Sequence, residues 1–295
     1  MSTVTLRDMQ KVGYYIELVK PRLTAMALFS GAVGYVAAVP AGVPIEWMTV
    51  FHLVVALGFV GAASNIMNQA MEHNLDKIMS RTSDRPIPSG RVEEMEAKAL
   101  SIVCAVIGLI YLYVMFVPLV ALLAFFTFIS YVCIYTPMKT KSSMNTIVGA
   151  FPGALPLLTG WVAHREVADF QGFSVFAIIF VWQLPHFFSI AWIYKEDYMK
   201  AGYKMISLYD KTGKQAVVLI NVGTIALGFT SLIPFLGEKP LVGMLYFFGT
   251  VFANVLNMMA ALLLIKDRNK YMKLYFYASI TWLPFVLTLL MIDRT

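Results

Sequence analysis

An all-α membrane protein, a polytopic bundle of about nine transmembrane helices, is the fold class this sequence predicts, and three observations predict it. The chain has 295 residues, 59% of them hydrophobic and 14% charged, against roughly 25% charged in an average soluble domain. Apolar stretches recur at the length that crosses a hydrocarbon core, about 20 residues. The bases then fall almost entirely in alternate connections, as the positive-inside rule requires of a polytopic chain.

The first span is expected near 23–39. It follows an N-terminal segment, 1–22, that holds Arg7, Lys11, Lys20 and Arg22 and lacks the uninterrupted apolar core of a cleavable signal. The run Tyr14, Tyr15, Ile16 suits a position along the membrane interface. A second span at 46–66 leads into the first long polar connection, about 67–96, and spans at 97–115 and 118–135 follow. The fifth, 145–163, contains Gly149, Pro152, Gly153 and Pro156, breakers that a spanning helix tolerates where its neighbours re-satisfy the backbone. A sixth span at 171–193 opens the second long polar connection, about 194–214, and spans at 215–235, 240–265 and 271–291 complete a single domain over 1–295.

With the N-terminus inside, only Arg165, Lys239 and Arg294 of the 23 Lys and Arg residues fall outside. Nine spans then put the C-terminus outside and the long polar connections on the cytoplasmic face, in a bacterial-type inner membrane. The net charge of +6 follows from this topology. The partner it implies is the lipid bilayer, with no nucleic acid. Cys104 and Cys133 sit inside apolar spans with no C-x-x-C pattern, so both read as core residues rather than a disulfide or metal pair.

The stretch NQAMEHNLDKIMSRTSDRPIPSG, residues 68–90, is the polar feature such a chain has least reason to carry. Asn68, Glu72 and Asp76 are spaced i, i+4, i+8, a drift of about 40° per step on a helix, which stacks three oxygen-bearing side chains on one face. An oxygen column suits a hard cation, and Mg²⁺ in particular takes a few carboxylates together with substrate phosphate oxygens. Arg81 and Arg85 follow at the same spacing, then Pro86 and Pro88 stiffen the connection and Gly90 ends it. The planar fork of arginine matches phosphate oxygens. Acids, cation and arginines together make a receptor for a diphosphate–metal complex.

Other polar groups gather at the same face. Glu196 and Asp197 open the second long connection and offer a second metal face. Tyr135 and Lys139 lie four residues apart at the end of the fourth span, and Lys20 and Arg22 flank Pro21 at the start of the first. Of the four histidines, His73 sits in the first polar stretch, and His186 lies within the sixth span, roughly 12 Å from its cytoplasmic end at 1.5 Å per residue. An ionisable group at that depth is a functional candidate. Gln183 is expected one turn before it on the same face.

These residues carry a resemblance. N-x-x-x-E-x-x-x-D followed by DRPIPSG resembles the first aspartate-rich motif of the UbiA superfamily of intramembrane prenyltransferases. MSRTSDRP at 79–86, NTIVGAFPGALPLLTGW at 145–161, WQLPHF at 182–187 and DYMKAG at 197–202 are similar to its haem-farnesylating members. The resemblance implies a helical bundle around a central cavity and a Mg²⁺-dependent transferase that moves a farnesyl group from farnesyl diphosphate to a vinyl group of haem b, giving haem O. It implies metal and catalytic roles for Asn68, Glu72, Asp76 and Asp197. Diphosphate contacts fall on Lys20, Arg22, Arg81, Arg85, Tyr135 and Lys139, and haem contacts on Gln183, His186 and, as a further candidate, His73. A haem A synthase or terminal oxidase is the implied partner. The chain departs from the family's Asp-Arg-Asp-x-Asp in having Glu72, His73, Asn74, Leu75 and Asp76: Glu72 keeps the charge of the aspartate it replaces, and His73 stands in place of an arginine.

Two rivals are distinguishable. A related prenyltransferase acting on an aromatic quinone precursor would lack a haem-sized site with His186. A transporter would show internal repeats with broken helices at the midplane, whereas these acids collect at one membrane face.

Overall fold

A computed structural model describes residues 6–206, 210, 212–237 and 239–295, with side chains from Lys11 onward. Residues 1–5 of the N-terminal segment and Lys211 among the inner bases lie outside the described residues. The helices are α1 (Leu6–Val19), α2 (Pro21–Ala38), α3 (Trp47–Asp76), α4 (Glu94–Met115), α5 (Pro118–Ile129), α6 (Thr136–Met138), α7 (Asn145–Arg165), α8 (Phe170–Ile193), α9 (Lys195–Lys200), α10 (Lys214–Thr230), α11 (Met244–Lys266) and α12 (Arg268–Ile292). A π-helical turn, Ser130–Tyr135, joins α5 to α6 within one continuous helical stretch.

Among the described residues, eight helical stretches are long and apolar enough to cross a membrane. The span expected first, α2, is helical over 18 residues but begins with Pro21 and Arg22 and includes Thr24, Ser30 and Tyr35, which leaves it short of these eight in apolar length. It still packs inside the bundle, against α3, α7 and α12. The α2–α7 contact is close because both helices present glycine: a Cβ on Gly34 would lie 1.9 Å from the Leu157 carbonyl oxygen, and one on Gly160 1.8 Å from that of Gly31. Small residues let backbones approach in this way where lipid gives no hydrophobic drive between helices. α7 runs unbroken through Pro152 and Pro156 and is the most buried span, with α2, α5 and α8 around it. The chain then returns through α10 and α11 to α12, which touches both α8 and α2 and closes the bundle.

The outside is apolar, with Phe229, Phe248, Phe252 and Val114 largely exposed. A soluble protein could not display such a surface without associating; here it is the lipid face. Cys133 belongs to that face rather than to the core, while Cys104 is half-buried and both thiols are free. An apolar groove of about 590 Å³ between α4 and α5, lined by Leu109, Tyr113, Leu119 and Phe125, also opens on this side.

α3 sets the position of the polar chemistry. Its 30 residues span about 45 Å at 1.5 Å each, half as long again as a hydrocarbon core of about 30 Å. Its last turns therefore emerge from the apolar layer, carrying Asn68, Glu72 and Asp76 with them. α1 lies across this end of α3. Gln69 donates to the Leu18 carbonyl at 2.7 Å, Asn65 to the Val19 carbonyl at 3.2 Å, and Tyr15 bonds Glu96 of α4.

Candidate active site

The column read from the sequence is present and buried. Asn68, Glu72 and Asp76 are 1%, 5% and 1% exposed, and each is met by a base. Lys20 adopts a left-handed backbone, φ 52° and ψ 68°, at the reversal between α1 and α2, a conformation uncommon outside glycine. The reversal aims its ammonium at the Asn68 carbonyl oxygen, 2.9 Å away. The Asn68 amide in turn donates to Glu72 at 2.9 Å and to the Thr136 hydroxyl at 3.1 Å. Lys139 Nζ lies 2.8 and 3.0 Å from the two Glu72 oxygens. Arg85 Nη1 donates to both oxygens of Asp76, at 2.9 and 2.8 Å.

The connection after α3 folds back so that its own residues wall the site. Thr82 donates to the Asp76 carbonyl at 3.0 Å, and the backbone amides of Arg91 and Val92 both donate to the Pro86 carbonyl, at 2.8 and 3.0 Å. Gly90 completes this turn with φ +75°. Arg81 takes a different partner from Arg85: its guanidinium stacks 4.7 Å from the Tyr194 ring centre and 4.5 Å from that of Tyr198. It makes no ion pair among the described residues.

Tyr131 and Tyr135 reach the same space from the π turn. Such turns recur at functional sites. Tyr135 lies flat against α7, where a Cβ on Gly149 would come within 2.4 Å of its ring, and Lys139 Nζ sits 4.7 Å over that ring.

These groups enclose a cavity of about 100 Å³ whose lining includes Lys20, Asn68, Glu72, Asp76, Arg81, Arg85, Tyr135 and Lys139. Four bases face two acids. Burial, and then the cations of Arg85 and Lys139, hold the Lys20 ammonium down to about 7. Burial also works against Lys139, but the Glu72 carboxylate and the nearby phenols outweigh it and hold its pKa well above the ordinary lysine value. A buried cavity with surplus positive charge fits a polyanion.

Not every expected residue joins it. Asp197 is absent from the lining and accepts from Ser80 at 3.1 and 3.3 Å, tying α9 to the connection after α3. Arg22 is exposed. His73 turns toward α4, with Nδ1 2.8 Å from the Ala70 carbonyl and Nε2 3.5 Å from Glu94. Gln183 and His186 are both buried in α8 but part company: Gln183 donates to the Ala150 carbonyl of α7 at 3.1 Å, whereas His186 Nδ1 lies 2.8 Å from the Ser279 hydroxyl of α12. The three-residue offset rotates one side chain about 60° from the other, enough to face separate neighbours. The His186 ring is stacked between Trp182 and Phe276, at 4.6 and 5.2 Å. Among the described residues Nε2 has no hydrogen-bond partner.

The lining also contains Met79, Thr82, Tyr131, Tyr198, Tyr203 and Met205, which the sequence reading did not single out. Tyr131 had a signal, four residues before Tyr135 and eight before Lys139. Tyr198 lies within the DYMKAG motif, whereas Tyr203 and Met205 had no signal, since long-range docking brings them in.

The profile of the UbiA prenyltransferase family matches residues 27–283. The chain belongs to that family. It is 36% identical to a protohaem IX farnesyltransferase of Opitutus terrae over 96% of this chain and 95% of that one. The corresponding protein of Solibacter usitatus is 33% identical over 95% and 98%. Among solved structures, a digeranylgeranylglyceryl phosphate synthase superimposes with a TM-score of 0.79 at 18% identity, covering 96% of this chain and 98% of that one. A UbiA homolog from Archaeoglobus fulgidus bound to GPP and Mg²⁺ gives 0.66 at 15%, covering 94% and 99%. At such identities the structures speak for the shared fold.

Proposed function

We propose that this prenyltransferase moves the farnesyl group of farnesyl diphosphate to a vinyl group of haem b. The C–O bond to diphosphate breaks, the farnesyl carbon bonds the outer vinyl carbon, and water adds hydroxide at the inner carbon while its proton leaves. The products are haem O, diphosphate and a proton. The observation that carries this reading is the cavity at the end of α3, where buried bases outnumber acids, in a chain whose full-length relatives bear the name protohaem IX farnesyltransferase.

The residues present fit Mg²⁺. Asn68, Glu72 and Asp76 offer a cation only oxygen, and Glu72 Oε1 is buried with the Lys139 ammonium, 2.8 Å away, as its partner. Two carboxylates and an amide would hold the ion, with diphosphate oxygens completing its shell. When bound, it neutralises charge on the leaving group. The chain's own part is an exchange of partners. Lys139, Arg85 and Lys20 are stored on the acid column, within reach of an arriving diphosphate, while Arg81 already stands free of carboxylates. Bases held this way stabilise the departing charge without reorganising water. We place haem b beside α8, where two flanking rings and Ser279 fix the His186 imidazole. The active site faces the cytoplasm in this reading, and haem O passes to a haem A synthase or terminal oxidase.

Purified protein incubated with haem b, farnesyl diphosphate and Mg²⁺ is expected to yield haem O by mass spectrometry. Prenylation of an aromatic quinone precursor in place of haem would overturn the assignment. His186→Ala is expected to shift the Soret band of bound haem b, and an unchanged band would remove haem from α8.

A further inference from the structure

The second polar connection was expected to supply a carboxylate, Asp197, to the site. It supplies phenols. Gly202, at φ +73°, reverses the chain after α9 and sends Tyr203 into the cavity, only 6% exposed. The backbone is pinned on both sides of it: the Tyr203 amide donates to the Tyr198 carbonyl at 3.0 Å, and the Lys204 amide to the Lys139 carbonyl at 2.7 Å. The ring rests on Tyr198, centres 5.4 Å apart, and Lys139 Nζ lies 5.9 Å from its centre. So the side chain is fixed against the wall facing α3, beside the bases that the acid column stores.

We propose that the Tyr203 hydroxyl is a hydrogen-bond donor to the diphosphate, holding it from the side opposite Asn68, Glu72 and Asp76. This rests on the diphosphate reading above. Three observations converge on it. The residue is buried and lines the cavity, and its hydroxyl has no hydrogen-bond partner among the described residues, which leaves the donor free for a ligand. It belongs to a different chain segment from every base in the site, so it reaches the cavity independently of them. Burial, and then the Glu72 carboxylate, push its pKa above the ordinary tyrosine value, so the phenol keeps its proton and remains a donor. Tyr131 and Tyr135 share a wall with Lys139 and do not take this position.

Tyr203→Phe deletes the hydroxyl and keeps the ring on Tyr198. Calorimetric titration of inorganic diphosphate into the detergent-solubilised protein, with Mg²⁺ present, is expected to show roughly ten- to a hundred-fold weaker binding in Tyr203→Phe, the loss typical of a hydrogen bond to a charged group. Its unfolding temperature and haem b affinity should match the parent's. Equal diphosphate affinity in parent and variant would overturn the role of Tyr203 while leaving the site intact. No diphosphate binding by the parent would overturn the underlying reading, and this proposal with it. A loss in Tyr203→Ala with none in Tyr203→Phe would reduce Tyr203 to a packing residue and also overturn the proposal.

Discussion

Arg81 and Arg85 leave the same connection four residues apart and meet opposite surroundings. Arg85 holds Asp76, whose side chain is 1% exposed, through one nitrogen and both carboxylate oxygens. Arg81 lies between two tyrosine faces with no carboxylate beside it. Removing one partner of a buried pair leaves an uncompensated charge, which costs about 3–5 kcal/mol, whereas losing an arginine–tyrosine stack costs about 1 kcal/mol. Arg85→Ala should therefore lower the unfolding temperature in detergent much more than Arg81→Ala, and Arg85→Ala combined with Asp76→Asn should recover part of the loss. Equal destabilisation by the two single variants would count against this division of roles. Spacing alone reveals Asn68, Glu72, Asp76, Arg81 and Arg85 as a group, because helix periodicity sets the first three and chain proximity the others. It says nothing of which base pairs with which acid. That depends on Lys20 and Lys139, which arrive from 48 and 67 residues away in sequence.

Helices and turns show a similar boundary between what is local and what is not. The spans, and α7's tolerance of its prolines, follow from apolar length. The left-handed turn at Lys20, the helix α9 and the π turn at Ser130–Tyr135 do not, because each answers to a neighbour. Gly149 is such a neighbour. A methyl group there would overlap the Tyr135 ring, so Gly149→Ala is expected to cost about 1–3 kcal/mol of stability, the range for overpacking a filled core, and to displace a wall of the cavity. The cost should depend on the ring. In a Tyr135→Ala background the added methyl has room, and Gly149→Ala should then change the unfolding temperature little, a coupling that a double-mutant cycle reads directly. Additive losses would show that α7 rather than Tyr135 takes the strain. Gln183 and His186 teach the converse: three residues apart in one helix, they serve α7 and α12, a divergence that appears only once the neighbours are in place.

At the scale of the whole molecule, the start of α2, the end of α3, the end of α6 and the segment after α9 meet at one end of the bundle, with the site's four bases among them. The opposite end holds Arg165, Lys239 and Arg294 alongside Glu46, Glu166, Asp169 and Asp293. Basic connections stay in the cytoplasm, so the cavity end should face inward and Thr295 outward. That orientation needs an odd number of crossings, and α2 decides the parity. Its 18 residues reach about 27 Å, close to a hydrocarbon core of about 30 Å, and its glycine contacts with α7 bury it in protein rather than lipid, which relaxes the demand for apolar side chains. Single cysteines test this in a background where Cys104 and Cys133 are replaced by alanine. On intact cells a membrane-impermeant maleimide should label positions 166 and 295 and leave 141 and 200 unlabelled until the membrane is permeabilised. The reverse pattern would invert the protein and move its site to the outer face. Labelling of a cysteine at position 13 on intact cells, with 200 still protected, would put the N-terminal segment outside and remove α2 from the set of crossings.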